Sequence, residues 1–225
     1  IGQATCLALA KEGASIVVVD IDRMGVQRTV EELQKKGEGL SPLGLVLDVR
    51  QEQAMDEMAS QALARFGRID ILVACAGILR LRGTSPKPLF ELTTEEWDAV
   101  LDTNLKGTFL SNRAVLPTMI AQRKGHIINI SSTSGRQGRA HDSAYCTSKF
   151  GVIGLSEAVA EEVRQYGIKV HVILPDAVDT PIWDQNGPIP RPADALPAAR
   201  VADLIVYLLT MPEDSILLNP VIAPF

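Results

Sequence analysis

Cysteine is scarce in this chain and follows no pattern. Cys6, Cys75 and Cys146 are the only three in 225 residues. They form neither an even set nor a metal-ligand spacing, so no disulfide framework and no metal site is expected. Reduced thiols in a cytoplasmic protein are the plain reading. No apolar run approaches the roughly 20 residues that a membrane-spanning helix needs, and no signal peptide is visible, so no membrane association is expected. Basic residues are in deficit, with 22 Lys and Arg against 27 Asp and Glu. A net charge of −5 argues against a nucleic-acid partner. Internal repeats and low-complexity tracts are lacking too. What is present is 46% hydrophobic and 22% charged, a globular composition of a length that suits one domain over 1–225. Because the chain opens on Ile1 rather than methionine, further residues are expected upstream of it.

Short apolar runs alternate with helical patterns. Ser15 to Asp20, Leu43 to Leu47, Ile71 to Ala74, His126 to Ile130 and Lys169 to Leu174 read as strands buried on both faces, and Ile216 to Leu218 as a last one. Between them, helical spacing runs over Thr5 to Lys11, Val26 to Lys36, Gln53 to Phe66, Leu105 to Gln122, Ser143 to Tyr166 and Val201 to Leu209. Gly13, Gly37, Gly39 and Gly67 mark helix ends. Thr93, with Glu96 three residues on, is a capping box for a helix carrying Trp97, Val100 and Leu101. Residues 78–92 read as a surface loop, and 176–198, rich in proline, as a loop or lid over a substrate. This alternation implies right-handed βαβ units and a three-layer, doubly wound parallel sheet of Rossmann-like type. Ligands of such sheets bind outside the carboxyl ends of the strands. Asp20, Asp48, Gly77, Ser132 and Pro175 all fall at or just past predicted strand ends, so one crevice would collect them.

The helix from Ser143 places Tyr145 and Lys149 four residues apart, on one face. Ser132, thirteen residues before the tyrosine, closes the run Ile127-Ile128-Asn129-Ile130. A serine, a phenol and an ammonium therefore converge. A free phenol with pKa about 10 is ionised to roughly one part in a thousand at pH 7, so a base made from Tyr145 needs the positive charge of Lys149 to favour the phenolate.

Ser132, Tyr145 and Lys149, preceded by Asn104 in Thr103-Asn104-Leu105, resemble the catalytic set of the short-chain dehydrogenase/reductase family. The likeness runs from Ile1 to about Leu209. Ile1-Gly2 resembles the end of that family's glycine-rich turn, Asp48-Val49 the pair that holds adenine, Ala76-Gly77 the end of Asn-Asn-Ala-Gly, and Pro175 to Thr180 the segment Pro-Gly-x-x-x-Thr. The resemblance implies an NAD(P)-dependent oxidoreductase that interconverts a secondary alcohol and a ketone. Asn104, Ser132, Tyr145 and Lys149 would be catalytic. Ile1, Asp20, Ile21, Asp48, Val49, Ala76, Gly77, Lys149, Pro175, Val178 and Thr180 would line the cofactor. It also implies that the first strand and most of the glycine turn are missing from this chain and lie upstream.

Asp20, a carboxylate at a strand end, can take both ribose hydroxyls and repels a 2′-phosphate, so NAD is expected over NADP. Arg23 is near enough in sequence to soften that choice. The substrate would be a small alcohol or ketone of unread identity, with Trp183 over it and Arg136, Arg139, His141 and Asp142 in the turn before Tyr145. Self-association as a homodimer or homotetramer is expected from the apolar faces of the helices at 105–122 and 145–166, which carry Val152, Ile153, Leu155, Val159 and Val163. Two departures from the family pattern stand out. Ala74-Cys75 replaces two asparagines, whose hydrogen bonds something else must supply. Asp176 replaces a glycine, in a place where aspartate tolerates a left-handed backbone and adds negative charge. A catalytically inactive dinucleotide-binding regulator of the same fold is the alternative reading.

Overall fold

The computed structural model describes residues 1–36 and 41–225, so the helix stop expected at Gly37 and Gly39 lies outside the described residues. Helix α1 (Gly2–Lys11) leads into strand β1 (Val17–Asp20), α2 (Arg23–Lys36) and β2 (Leu43–Val46). Helix α3 (Glu52–Phe66), strand β3 (Ile71–Ala74), helix α4 (Thr94–Leu101), helix α5 (Gly107–Gln122) and strand β4 (Gly125–Ile130) follow. The chain then runs through α6 (Ser143–Val163), β5 (Ile168–Pro175), β6 (Val178–Asp179), β7 (Leu196–Pro197), α7 (Ala198–Thr210) and β8 (Val221–Ile222).

All strand pairing is parallel: β1 with β2, β6 with β7, and β3-β4-β5-β8 as a four-stranded sheet. No described strand is hydrogen-bonded between β1 and β3. Accordingly, all four residues of β3 are only half-buried, whereas Ile127, Ile128 and Ile130 of β4 are buried. One face of the sheets is covered by α3, α5 and α6 through Met55, Met119, Ile127, Val159 and Val170. The other is covered by α7 and α1, where Val201, Ile205 and Leu208 meet Ile128 and Ile173, and Ala10 meets Ile16, Val18 and Leu33. These are the three layers of a Rossmann-like fold. Among the described residues no helix is long and apolar enough to cross a membrane.

Local chemistry explains the elements. In α3 the buried residues Met55, Met58, Ala59 and Ala62 recur at helical spacing, and Gly67, at φ 75°, ends the helix in the left-handed region. The capping box of α4 forms as read: Thr93 Oγ1 accepts from Glu96 N at 3.2 Å, and Glu96 Oε2 accepts from Thr93 N at 3.0 Å. Between α4 and α5 the chain makes a five-residue π turn, Asp102–Lys106, closed by Gly107 N donating to Asp102 O. A buried polar spine crosses the layers: Asn129 exchanges two amide hydrogen bonds with Asn112 (2.9 and 3.0 Å) and donates to Ser156 Oγ (3.0 Å).

One strand is displaced from its expected position. Residues 216–218 are not a strand, and Leu218 is 75% exposed. Asn219, at φ 49°, turns the chain first. Only then does Pro220 O accept from Leu174 N at 2.9 Å and start β8.

Candidate active site

Two short bonds set the geometry where β4 meets α6. Ser131 Oγ donates to the backbone carbonyl of Lys149 at 2.8 Å, and Lys149 Nζ donates to the Ile130 carbonyl at 2.9 Å. Close approach is possible because Gly135 lacks a side chain: a Cβ there would stand 2.6 Å from Ser131 Oγ and 2.8 Å from Lys149 O. Ser132, buried and extended at φ −166°, uses its Oγ to accept from Ser134 N at 3.1 Å. Tyr145 and Lys149 lie one helical turn apart, with Nζ over the phenol ring, 5.6 Å from its centroid.

Asn104 joins from the π turn and is fully buried. Its side chain brackets Ile78, accepting from Ile78 N and donating to Ile78 O, both at 2.8 Å. It also donates to Ser148 Oγ at 3.0 Å, and Ser148 donates onward to Tyr145 O at 2.7 Å. Thr108 Oγ1 donates to the Asn104 carbonyl at 2.7 Å. π turns are often found at functional sites.

Burial governs the electrostatics. The Tyr145 phenol is pushed up to about 12, chiefly by burial, against the Ser132 hydroxyl that bonds it; Asp142 and Cys146 push it the same way and Arg139 opposes. Burial pulls Lys149 down to about 8, with Cys75 opposing weakly. The lowering of the Tyr145 pKa expected from Lys149 is therefore not delivered by the protein alone. The reason is position: the ammonium faces the ring and bonds to Ile130 O rather than standing at the hydroxyl.

The expected cofactor residues divide into two groups. Gly77 lies against the catalytic candidates, where a Cβ would meet Asn104 Oδ1 at 3.3 Å and Lys149 Nζ at 3.5 Å. Ala76 beside it is exposed, while Pro175 and Val178 are buried and Thr180 half-buried at the end of β5. Ile1 packs with Val73 and Cys75 against the core under α7. Asp20 ends β1, Ile21 follows it and Asp48 lies two residues past β2; among the described residues these two strands are not hydrogen-bonded to the sheet whose β4 leads into Ser132. Asp20 Oδ1 accepts from Asp22 N at 2.9 Å, and Ile21 is 63% exposed. Asp48 is taken up by a two-pronged contact with Arg50, which holds its carboxyl below the usual range. Val49 packs on Gly107, where a Cβ would stand 2.7 Å from Val49 Cγ2.

These residues fit a dinucleotide at one point above all. Lys149 is a buried ammonium with one hydrogen-bond partner among the described residues, so two of its three N–H groups remain to meet hydroxyls. Asp48 fits less well, because Arg50 already claims its oxygens.

Both departures from the family pattern are compensated. In place of side chains at Ala74-Cys75, Asn104 holds Ile78 while Gln185 Oε1 accepts from Leu79 N (2.8 Å) and Arg80 N (3.2 Å). Asp176 does not adopt the left-handed backbone. Its Oδ1 accepts instead from Thr133 Oγ1 at 2.8 Å and from Arg139 Nη2 at 3.2 Å, which offsets its charge. Arg136 reaches Asn219 O, His141 is exposed at φ 66°, and Trp183 Nε1 donates to Val178 O at 2.9 Å, fixing the base of the 176–198 loop.

A family model described as short chain dehydrogenase matches residues 1–188. The chain belongs to the short-chain dehydrogenase family of oxidoreductases. Within that family it is 39% identical over 184 residues to (2S)-[(R)-hydroxy(phenyl)methyl]succinyl-CoA dehydrogenase subunit BbsD of Thauera aromatica, covering 82% of this chain and 71% of that protein. It is 36% identical over 185 residues to 3-oxoacyl-[acyl-carrier-protein] reductase FabG of Thermotoga maritima, covering 82% and 72%. Among solved short-chain dehydrogenase structures, levodione reductase superposes with TM-score 0.88 at 29% identity, covering 99% of this chain and 90% of that one. A metagenomic short-chain oxidoreductase in complex with NADP superposes with TM-score 0.83 at 31% identity, covering 100% and 91%.

Arg80 and Gln185 were not singled out from the sequence. Both lie in turn-rich loops and owe their importance to contacts across about a hundred residues, which no local pattern marks.

Proposed function

We propose that this short-chain dehydrogenase interconverts a secondary alcohol and a ketone, with Tyr145 as general acid and base. The supporting observation is the arrangement of Tyr145, Ser132 and Lys149 at the carboxyl edge of the sheet, with Asn104 tied to the same helix through Ser148. A bound nicotinamide dinucleotide supplies the hydride acceptor or donor and a positive charge in its oxidised form. Tyr145 takes the alcohol proton in oxidation and returns it in reduction. Ser132 donates to the substrate oxygen as negative charge develops there. Lys149 holds ribose hydroxyls with the N–H groups that Ile130 leaves free, and its own charge favours the phenolate once the nicotinamide adds to it. NAD is favoured over NADP because the exposed Asp20 carboxylate repels a 2′-phosphate.

Residues 1–225 act as one dinucleotide-binding domain in this reading, with 176–198 closing over the substrate. The setting is cytoplasmic, which the free thiols of Cys6, Cys75 and Cys146 support. Pairing as a dimer or tetramer uses the outer faces of α5 and α6. Val152, Val159 and Val163 are covered within the chain, but Phe109 and Phe150 stand 42% and 47% exposed on those helices.

The test is to screen secondary alcohols with the full-length chain while following absorbance of reduced nicotinamide. Tyr145→Phe should keep the fold and lose about a thousandfold in kcat. Near wild-type turnover in Tyr145→Phe overturns the assignment, and tight NAD binding with no turnover by the wild type supports the regulatory reading instead.

A further inference from the structure

Arg80 lies three residues past Gly77, and its side chain is only 10% exposed. Its guanidinium gathers three segments that are far apart in sequence. It pairs with Asp142 Oδ1 at the start of α6. Nη1 donates to Asn186 Oδ1 at 2.8 Å and, more weakly, to Gln185 O at 3.5 Å, while the Gln185 side chain caps the backbone N–H groups of Leu79 and Arg80. Asn186 is itself buried. Arg80 Nε is buried and has no hydrogen-bond partner among the described residues. A guanidinium removed from water with one N–H unpaired costs stability, and an isolated surface arrangement would not keep it.

We infer that Arg80 is a positioning residue: it latches the Pro181–Asn186 part of the substrate loop onto the first turn of the catalytic helix, and in the same contact neutralises the Asp142 carboxylate beside Tyr145. The inference rests on the reading of Tyr145 as general acid and base. The phenol is faced by Asp142 and Cys146 from its own helix, by Arg139 from the turn before it, by Ser132 from the end of β4 and by Lys149 across its ring. Asp142 in turn is faced by Arg80, Arg139 and His141. Among these groups Arg80 is the one that also grips the loop, so loop closure and neutralisation of Asp142 occur together. Opening of the 181–186 segment removes the Asn186 and Gln185 contacts, frees Arg80 to swing toward water, and leaves Asp142 opposing ionisation of Tyr145.

The experiment compares full-length wild type with Arg80→Met, Arg80→Lys and the double variant Arg80→Met/Asp142→Asn. The probe is whichever of cyclohexanol and phenylethanol is oxidised faster with NAD, assayed across pH. Backbone hydrogen exchange of 181–186 is measured in parallel. Arg80→Met is expected to raise KM for the alcohol about tenfold through lost positioning, to move the rising limb of kcat up by about half to one pH unit, and to speed exchange of 181–186. Arg80→Lys keeps the charge without the fork, so KM rises while the pH limb stays. The double variant returns the pH limb to the wild-type position and leaves KM high. Wild-type KM and pH profile in Arg80→Met, or lowered Tm with neither changed, overturns the inference. If the wild type oxidises neither alcohol, the functional reading is decided by the wider screen of secondary alcohols. The latch is then judged by exchange alone, and unchanged protection of 181–186 in Arg80→Met overturns it.

Discussion

Lys149 is anchored to the strand rather than to the phenol: its Nζ donates to Ile130 O at 2.9 Å, two residues before Ser132. That contact carries an energetic cost. Burial lowers the ammonium to about 8 from its ordinary 10.5, so folding disfavours the charged form. The cost is present in full below pH 8 and is relieved as pH rises from about 8 to 10.5. Lys149→Met should therefore be more stable than wild type at pH 7, by about 1–3 kcal/mol once the lost bond to Ile130 is offset. It should also lack the rise in stability above pH 8 and lose most of its turnover. Urea denaturation at pH 7 and pH 9 checks this, and a less stable Lys149→Met variant at pH 7 would count against it.

How far the sequence carries is visible in the same neighbourhood. The β-branched run Ile127 to Ile130 and the apolar period of α6 are local signals, and both elements form with ends shifted by no more than a residue or by a short 3-10 turn. Thr93 and Glu96 interact three residues apart, so their capping box was legible too. The π turn around Asn104 was not, because over five residues its period cannot be told from that of an α-helix. Nor could spacing give the direction of the Lys149 ammonium, which depends on a carbonyl nineteen residues away. The Asp176 backbone and the Arg80 contacts escaped for the same reason: their partners, Thr133, Arg139, Gln185 and Asn186, arrive only with the tertiary fold.

Asn129 stands in the centre of β4 with no exposed surface, bonded to Asn112 of α5 and Ser156 of α6. Replacing it with leucine strands Asn112 Oδ1 and one Asn112 N–H in the core, while Asn112 keeps its bond to Thr108 O and Ser156 its bond to Val152 O, so Asn129→Leu should lose about 2–4 kcal/mol. Adding Asn112→Leu removes the stranded amide and should recover part of that loss. Equilibrium unfolding of the two variants measures the coupling. Strict additivity would show that the amide pair does not hold these layers together.

His126 and His171 stack on neighbouring strands with ring centroids 6.3 Å apart. Burial, with His171 and then Lys169 and Lys124 adding, lowers His126 to about 4 from 6.5, and its Nδ1 has no partner among the described residues. The neutral ring is therefore the folded form. Its contribution is intact above about pH 6.5 and declines as pH falls toward 4. Because the ring is partly exposed, the loss is about 1–2 kcal/mol rather than the full value of the shift. His126→Gln should flatten stability between pH 6.5 and 4 relative to wild type, and thermal unfolding across that range would expose an unchanged slope.

Asp20 carries the expected choice between the two dinucleotides. Its Oδ1 is occupied by Asp22 N at 2.9 Å, while Oδ2 has no hydrogen-bond partner among the described residues and the side chain is exposed. Arg23 makes no bond to it there, and the neighbouring Arg28 turns to Asp22 at 3.8 Å. One free carboxylate oxygen suits ribose hydroxyls and opposes a 2′-phosphate, whose charge it would meet with no cation from the described residues hydrogen-bonded to it. Asp20→Ser keeps an oxygen for Asp22 N and removes the charge. It should weaken NAD binding about tenfold and tighten NADP binding about tenfold, following the loss of charge-assisted hydrogen bonds on one side and of repulsion on the other. Titration of both cofactors against both proteins decides the point: a wild type that already binds NADP more tightly than NAD, or a serine variant with the same ratio, removes Asp20 from the choice.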